Sequence, residues 1–455
     1  MAKKFYITTA IDYVNAKPHV GHAFEKCLAD AIARYHRLKG EDVFFLTGVD
    51  ENAQKNVQAA EAAGVSVKKF IDENTGFFLE LVEKLNISHD KFIRTTAKEH
   101  GNVVQEVLKK VIAAGDIYKG NYEGNYCVGC ESFLTEKDLV DGKCPEHDKK
   151  PEYRKEEAYF FRLSKYKDKL IKFAENYILP KEKKNEILNR LKEGLNDLCV
   201  SRKGVDLGID FPGDKEFKVY VWIDALINYI SGAKERWPAD VHVIGKGINW
   251  FHSVIWPALL MSAGYKLPGK LLVHGYLISK GKKMSKSLGN SVDPLELLKK
   301  YSADSVRYSL LRCSVFDDSD YSEEILIQRH NDELANKLGN LVSRVAALVE
   351  KYGIEKCPNK LIKKLKEKEI EKKIENFELD KALDLIFAFI DNCNEYVQSK
   401  KPWETKDRKV LFELVESIRK LSELLSPFIP ETAEKIKKQF KTDKIKKVGI
   451  LFEKI

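Results

Sequence analysis

Two segments near the N-terminus decide how the fold reads: Phe5-Tyr6-Ile7-Thr8-Thr9 and Pro18-His19-Val20-Gly21-His22. The first is an apolar run of strand length. The second opens a pattern in which Ala23, Phe24, Cys27, Leu28, Ala31, Ile32 and Tyr35 recur at helical spacing. Asp42-Val43-Phe44-Phe45-Leu46-Thr47 then reads as a second strand. Strand, helix and strand within about 45 residues make a βαβ unit, which predicts a parallel sheet with a right-handed crossover. In such sheets ligands bind at the carboxyl ends of strands, and phosphates favour a helix N-terminus. Pro18 limits the backbone before the helix, and Gly21 lets a nucleotide approach closely. His19 and His22 are three apart, so both rings can face one ligand. Four residues alone do not separate this from two ordinary histidines at a helix start.

Further along, residues 241–244 and 271–273 read as short strands ending at Gly245 and Gly275, with a helical stretch at 251–263 between them. The sheet is therefore expected in two halves, split by a Lys-, Glu-, Tyr- and Gly-rich module over about 115–215. From about 320 onward only helical patterns occur, until the last ten residues. Leu334, Leu338, Leu341, Val345 and Leu348 form one apolar stripe. Residues 360–376 read as a solvated, Lys/Glu-rich helix.

Composition narrows the class. A chain of 455 residues carries a sizeable core in roughly two to four domains. With 44% apolar and 32% charged residues, and only 26 Gly and 13 Pro, it is not disordered, collagen-like or of low complexity. No apolar run approaches the ~20 residues of a membrane span, so no membrane partner is expected. Asp12 and Asn15 interrupt any signal-peptide core behind Lys3 and Lys4, so a cytoplasmic location is expected. The net charge of +9 is compatible with a nucleic-acid partner without being diagnostic of one.

Of the eight cysteines, only Cys127, Cys130 and Cys144 cluster. Cys127-x2-Cys130 and Cys144-x2-His147, with 13 residues between the pairs, fit one tetrahedral Cys3His zinc site of structural type. Free thiols or a redox pair are the alternatives. Lys283-Met284-Ser285-Lys286-Ser287, flanked by Gly281-Lys282 and Leu288-Gly289-Asn290, makes a cationic loop able to close on phosphates. A solvated basic loop is the commoner meaning of such a cluster.

Together, His-x-Gly-His after the first strand and Lys-Met-Ser-Lys-Ser after the last resemble the two signatures of class I aminoacyl-tRNA synthetases. Thr9-Ala10-Ile11-Asp12-Tyr13-Val14-Asn15, Phe45-Leu46-Thr47-Gly48-Val49-Asp50-Glu51 and Tyr220-Val221-Trp222-Ile223-Asp224-Ala225-Leu226 resemble the methionyl-tRNA synthetase family. So do Ile244-Gly245-Lys246-Gly247-Ile248, Phe251-His252, Trp256-Pro257 and Lys401-Pro402-Trp403. The similarity runs along essentially the whole chain. Isoleucyl, valyl and leucyl enzymes carry a far larger editing domain where this chain has about 100 residues. A cysteinyl enzyme brings a zinc ligand into its amino-acid pocket, where the matching positions here are aromatic.

The resemblance implies an α/β fold: a Rossmann-type parallel sheet with an inserted zinc-binding connective module, followed by an all-α anticodon-binding helical bundle. Expected boundaries are 1–115 and 216–278 for the two catalytic halves, 116–215 for the insertion, 279–330 for the signature-loop and stem-contact region, and 331–455 for the helical domain. It implies a ligase that activates methionine with ATP and transfers it to methionine tRNAs, initiator and elongator, with Mg2+ accompanying ATP. His19, His22, Lys283 and Lys286 take catalytic roles. Gly21, Gly245 and Arg202 join them in ATP binding. Ala10, Ile11, Tyr13, Asp50, Trp222, Ile248, His252 and Trp256 bind methionine, whose polarisable thioether packs well on aromatic faces. Asn336, Asn340 and Arg344, spaced i, i+4, i+8, and Trp403 recognise the anticodon by hydrogen bonding and stacking. From sequence alone, an ordinary polar helix face is the commoner reading of those three. Asp12, Asn52-Ala53 and Gly247 depart from the family pattern around the nucleotide. They leave as a rival a catalytically inactive tRNA-binding paralogue. The helical end at Ile455 predicts a monomer.

Overall fold

The computed structural model describes residues 2–128, 132–134, 136–146, 148–279, 281–284 and 292–455, with the backbone alone for residues 122, 132, 133, 137, 154, 156, 282 and 283. Cys130, His147 and Lys286 lie outside the described residues, as does the Lys283 side chain. The chain divides into two compact units. One comprises Met1–Pro18, Glu41–Glu80 and His89–His274; the other comprises His19–Gly40, Leu81–Ser88 and Gly275–Ile455.

The first unit is built on a seven-stranded sheet. Its strands are β1 (Lys4–Thr9), β2 (Asp12–Tyr13), β3 (Asp42–Asp50), β4 (Lys91–Arg94), β7 (Ile178–Leu179), β8 (Val241–Gly245) and β9 (Lys270–His274). The order is β2-β3-β1-β8-β9-β7, with β4 also paired to β3. Every pairing is parallel. A parallel sheet is covered on both faces, so its strands read as apolar runs: five of the six residues of β1 are buried. β3 runs three residues past the expected Thr47. Gly48 permits this, because a Cβ there would stand 2.2 Å from the Ile93 carbonyl oxygen of β4.

The helix Val221–Ser231 (α3) is buried all round from Val221 to Ile230, so it belongs inside the core. Helix Lys98–Ala113 (α2) shows the opposite habit, with His100, Val104, Val107, Leu108 and Val111 on one buried face. The insertion is a long antiparallel ribbon of β5 (Ile117–Cys127) and β6 (Glu152–Phe161), running from Ile117↔Phe161 to Tyr126↔Glu152. It has a small core of its own, Ala158, Phe160 and Cys199. Its root is tied down by Asp116, which accepts from Lys165 Nζ at 2.6 Å, Ser262 Oγ at 2.7 Å and the Tyr166 hydroxyl.

The second unit contains helix α1 (Val20–Leu38) and the helices after residue 292. Arg307, on helix Ala303–Leu311, has no exposed surface. It pairs with Asp30 Oδ2 at 2.7 Å and donates to the carbonyls of Leu85, Pro427 and Phe428. Burial pushes the Asp30 carboxyl up, but Arg307, Arg34 and Ser88 outweigh it and hold the group below its ordinary range.

The stripe from Leu334 to Leu348 does not sit on one regular helix. His330–Gly339 is π-helical and continues as the α-helix Asn340–Tyr352. Leu334, Leu338, Leu341 and Val345 stay buried across that change of period, while Leu348 is half-buried beside the buried Val349. Helices Leu379–Lys400, Arg408–Leu425 and Pro430–Gln439 complete the bundle. The Lys/Glu-rich stretch is a 3-10 turn, Leu361–Lys364, followed by Glu367–Glu375, and it buries Leu361, Ile370 and Ile374. The last ten residues form no strand. Among the described residues, no helix is long and apolar enough to cross a membrane.

Candidate active site

The histidine pair caps helix α1. His19 is the N-cap residue; its Nδ1 accepts the Gly21 backbone N–H at 3.0 Å, while His22 Nδ1 accepts the His19 N–H at 3.1 Å. The two rings stack, with centroids 3.9 Å apart. Because each Nδ1 is an acceptor, the hydrogen-bond pattern assigns the ring proton to Nε2 on both histidines. Each Nε2–H is then a donor of the kind that a phosphate oxygen accepts from. Gly21 is required by its neighbour: a Cβ would stand 2.8 Å from His19 Cε1.

In the sheet-bearing unit, most of the predicted pocket residues come together. Tyr13 and Asp50 are register partners in the β2–β3 pair. Tyr13 meets Trp222 edge-on, with ring centroids 6.3 Å apart, and Lys55 Nζ lies 3.1 Å from the Tyr13 ring centroid. Trp222 stacks on Phe251 at 3.7 Å and meets His252 edge-on at 6.4 Å. His252 sits on a π-helical turn, Phe251–Ile255, that follows the 3-10 turn Lys246–Ile248. Its Nδ1–H donates to the Ile248 carbonyl at 3.0 Å, and Nε2 is hydrogen-bonded to the Tyr229 hydroxyl at 2.7 Å. The His252 ring is thus held at both nitrogens. Ala10 is buried and anchored by its N–H to Val243 O at 3.1 Å, while Ile11, Tyr13 and Ile248 are half-buried.

Two expected residues sit differently. Trp256 has no exposed surface; its Nε1–H donates to His242 Nε2 at 3.3 Å, and its ring meets Tyr229 and Trp237. It braces the site from the core. Burial holds His242 well below the ordinary histidine range, with His252 adding to the effect, so His242 is neutral as its hydrogen bonds require. Arg202 is also buried. Its guanidinium lies 5.0 Å from the Tyr126 ring centroid and 4.4 Å from that of Tyr220, and donates to Ser201 O at 2.7 Å. Such a placement suits packing of the insertion more than a nucleotide contact.

The adjacent acids Asp50 and Glu51 have separate environments. Glu51 accepts from Arg94 Nε at 2.7 Å, Thr75 Oγ1 at 2.8 Å and the Thr96 hydroxyl, which makes it structural. Asp50 Oδ1 accepts from the Asn52 backbone N–H at 3.2 Å and from Thr95 Oγ1 at 3.4 Å. Gly245 closes β8 opposite His274.

In the other unit, Asn336, Asn340 and Arg344 are exposed and line one open groove of about 620 Å³. Its far wall is Asn394, Glu395, Gln398 and Ser399 of helix Leu379–Lys400. Trp403 follows on the short helix Pro402–Thr405, 37% exposed, between Lys401 and Lys406 in left-handed conformation. Of the predicted zinc ligands, Cys127 and Cys144 are both buried in the insertion, as soft donors to a metal are. Among the described residues there is no group of three metal-ligating side chains. Tyr229 and the groove wall at 394–399 escaped the sequence reading, and Phe251, quoted in a family motif, was given no role. Tyr229 lies seven residues after Trp222, two helical turns along one face, and that spacing was the available signal.

Comparison with known proteins covers nearly the whole chain. The family model described as tRNA synthetases class I (M) matches residues 5–150 and 137–346, and that of the anticodon-binding domain of tRNA ligase matches residues 359–453. A methionine–tRNA ligase of Clostridium acetobutylicum is 46% identical, over 96% of this chain and 73% of its own length. One from Brucella suis is 42% identical, over 95% and 91%. Mycobacterium tuberculosis methionyl-tRNA synthetase in complex with methionyl-adenylate superimposes with a TM-score of 0.92 at 39% identity, covering 96% of this chain and 94% of that one. Its apo form gives 0.86 at 34% identity. The chain belongs to the methionyl-tRNA synthetase family of class I tRNA synthetases.

Proposed function

We propose that this protein is a methionine–tRNA ligase acting in two steps. The methionine carboxylate attacks the α-phosphorus of ATP, the bond to the bridging oxygen breaks, and pyrophosphate leaves methionyl-adenylate. The terminal ribose hydroxyl of a methionine tRNA then attacks the adenylate carbonyl and expels AMP. No protein nucleophile is needed, so the residues position groups and stabilise charge. The observation that carries the reading is the histidine cap, two Nε2–H donors at a helix N-terminus in a chain 46% identical to a methionine–tRNA ligase.

His19 and His22 donate to ATP phosphates. Lys283 and Lys286 neutralise the leaving pyrophosphate, and Mg2+ enters bound to ATP. Ala10, Ile11, Tyr13, Trp222, Ile248 and His252 enclose the methionine side chain, and Asp50 takes its ammonium. Trp256 acts through His242 and Tyr229. Asn336, Asn340, Arg344 and Trp403 bind the anticodon of initiator and elongator tRNAs alike. One zinc ion held by Cys127, Cys130, Cys144 and His147 fixes the tip of the insertion; two buried cysteines with two further donors at knuckle spacing in the sequence support it. The protein works in the cytoplasm.

Asn52, one of the departures behind the inactive rival, is tied into the site through its backbone N–H and its side-chain amide nitrogen. The test is ATP–pyrophosphate exchange on the purified protein, with cysteine, isoleucine, leucine and valine as controls. Exchange with methionine alone is expected. Exchange with none of the five, from folded protein, overturns the reading.

A further inference from the structure

A buried polar chain ends at Asp50. Ser231 Oγ and His100 Nδ1 are 2.6 Å apart, and His100 Nε2 lies 2.5 Å from Asp224 Oδ1. Asp224 Oδ2 accepts from Asn52 Nδ2 at 2.7 Å, and the same amide nitrogen donates to Thr95 O at 3.2 Å. The Asn52 backbone N–H donates to Asp50 Oδ1. His100 and Asp224 are each 1% exposed, Asp50 2% and Asn52 9%.

Both amide hydrogens of Asn52 are therefore used, and both oxygens of Asp224 accept. An amide held by two acceptors has one orientation, and this fixes the peptide N–H that meets Asp50. A buried carboxylate bracketed in this way does not swing toward a ligand, because each lost partner leaves a buried polar group unsatisfied. Asn56 Nδ2 holds the same turn through the carbonyls of Asp50 and Glu51, at 3.1 and 3.0 Å.

We infer that Asn52, clamped by Asp224 and His100, is a positioning residue that holds the Asp50 carboxylate in place for the substrate's ammonium. This rests on the reading that Asp50 binds that ammonium. The effect should be specific to methionine: weakening the clamp lets Asp50 turn, and leaves ATP and the chemical step alone.

The test is exchange kinetics on the full chain for Asn52→Ala, Asp50→Asn and the double variant, with melting temperatures. Asn52→Ala should raise KM for methionine about tenfold, with kcat and KM for ATP within about twofold. Asp50→Asn should lose more, and the double variant should be no worse than Asp50→Asn alone, since the clamp acts only through that carboxylate. If Asn52→Ala does not fold, Asn52→Ser, which keeps one donor, is read the same way. An unchanged methionine KM, equal rises for methionine and ATP, or full additivity with Asp50→Asn would make Asn52 merely structural. An unchanged KM in Asp50→Asn itself overturns the ammonium reading and the inference with it, which sets that failure apart from the others.

Discussion

His19 and His22 stack at 3.9 Å, and each accepts one backbone N–H of their own turn on Nδ1. On the proposed reading, the helix cap and the pair of phosphate donors are the same two side chains. The cap fixes the tautomer, and the tautomer makes the donor.

Gly21→Ala tests that coupling. The new Cβ meets the His19 ring at 2.8–2.9 Å, so the ring must leave its cap. A lost cap costs about 1 kcal/mol of stability. A displaced donor should slow pyrophosphate exchange by roughly 10²-fold. Thermal melting and exchange kcat read the two effects, and a stable variant of undiminished rate would separate cap from catalysis.

Tyr229→Phe removes the hydroxyl hydrogen-bonded to His252 Nε2. The expected result is a methionine KM raised by about 1–2 kcal/mol in binding terms, with KM for ATP unchanged. Isothermal titration with methionine checks it directly.

Arg307→Met leaves Asp30 buried and three carbonyls without their donor. The expected loss is about 3–5 kcal/mol in urea unfolding. Asp30 also sets a pH dependence. Its folded pKa lies below the ordinary value of about 4. Its contribution is therefore present above that value and is lost as pH falls through the lower folded one. Stability curves of wild type and Asp30→Asn should converge on acidification. Parallel curves would deny the pair that role.

Arg344→Ala removes the guanidinium from the groove between Asn336 and the wall at 394–399. Aminoacylation should weaken by about 1–3 kcal/mol in kcat/KM for tRNA, while pyrophosphate exchange without tRNA stays unchanged. Equal loss in both assays would move Arg344 out of RNA binding.

The parallel sheet was legible because β1, β3, β8 and β9 are short apolar runs with few alternatives. The histidine pair at the helix start was legible from spacing, but its capping role and its tautomers needed the Nδ1 partners. The π-helical period of His330–Gly339 was not legible, since Leu334, Leu338, Leu341 and Val345 fit an ordinary helical stripe equally well. Nor was the chain from Ser231 to Asp50: His100, Asp224 and Asn52 come from distant segments, and only the fold joins them. The nucleotide role of Arg202 was implied only by the family resemblance, and its packing against two tyrosine rings and a carbonyl needed the fold.

The most direct measurement is charging itself: esterification of labelled methionine to purified methionine tRNA, beside the same tRNA with an altered anticodon. Efficient charging of the first, with a large loss for the second, is the predicted result. Methionine-dependent exchange without charging, or charging indifferent to the anticodon, would contradict a single chain that activates methionine and selects its tRNA.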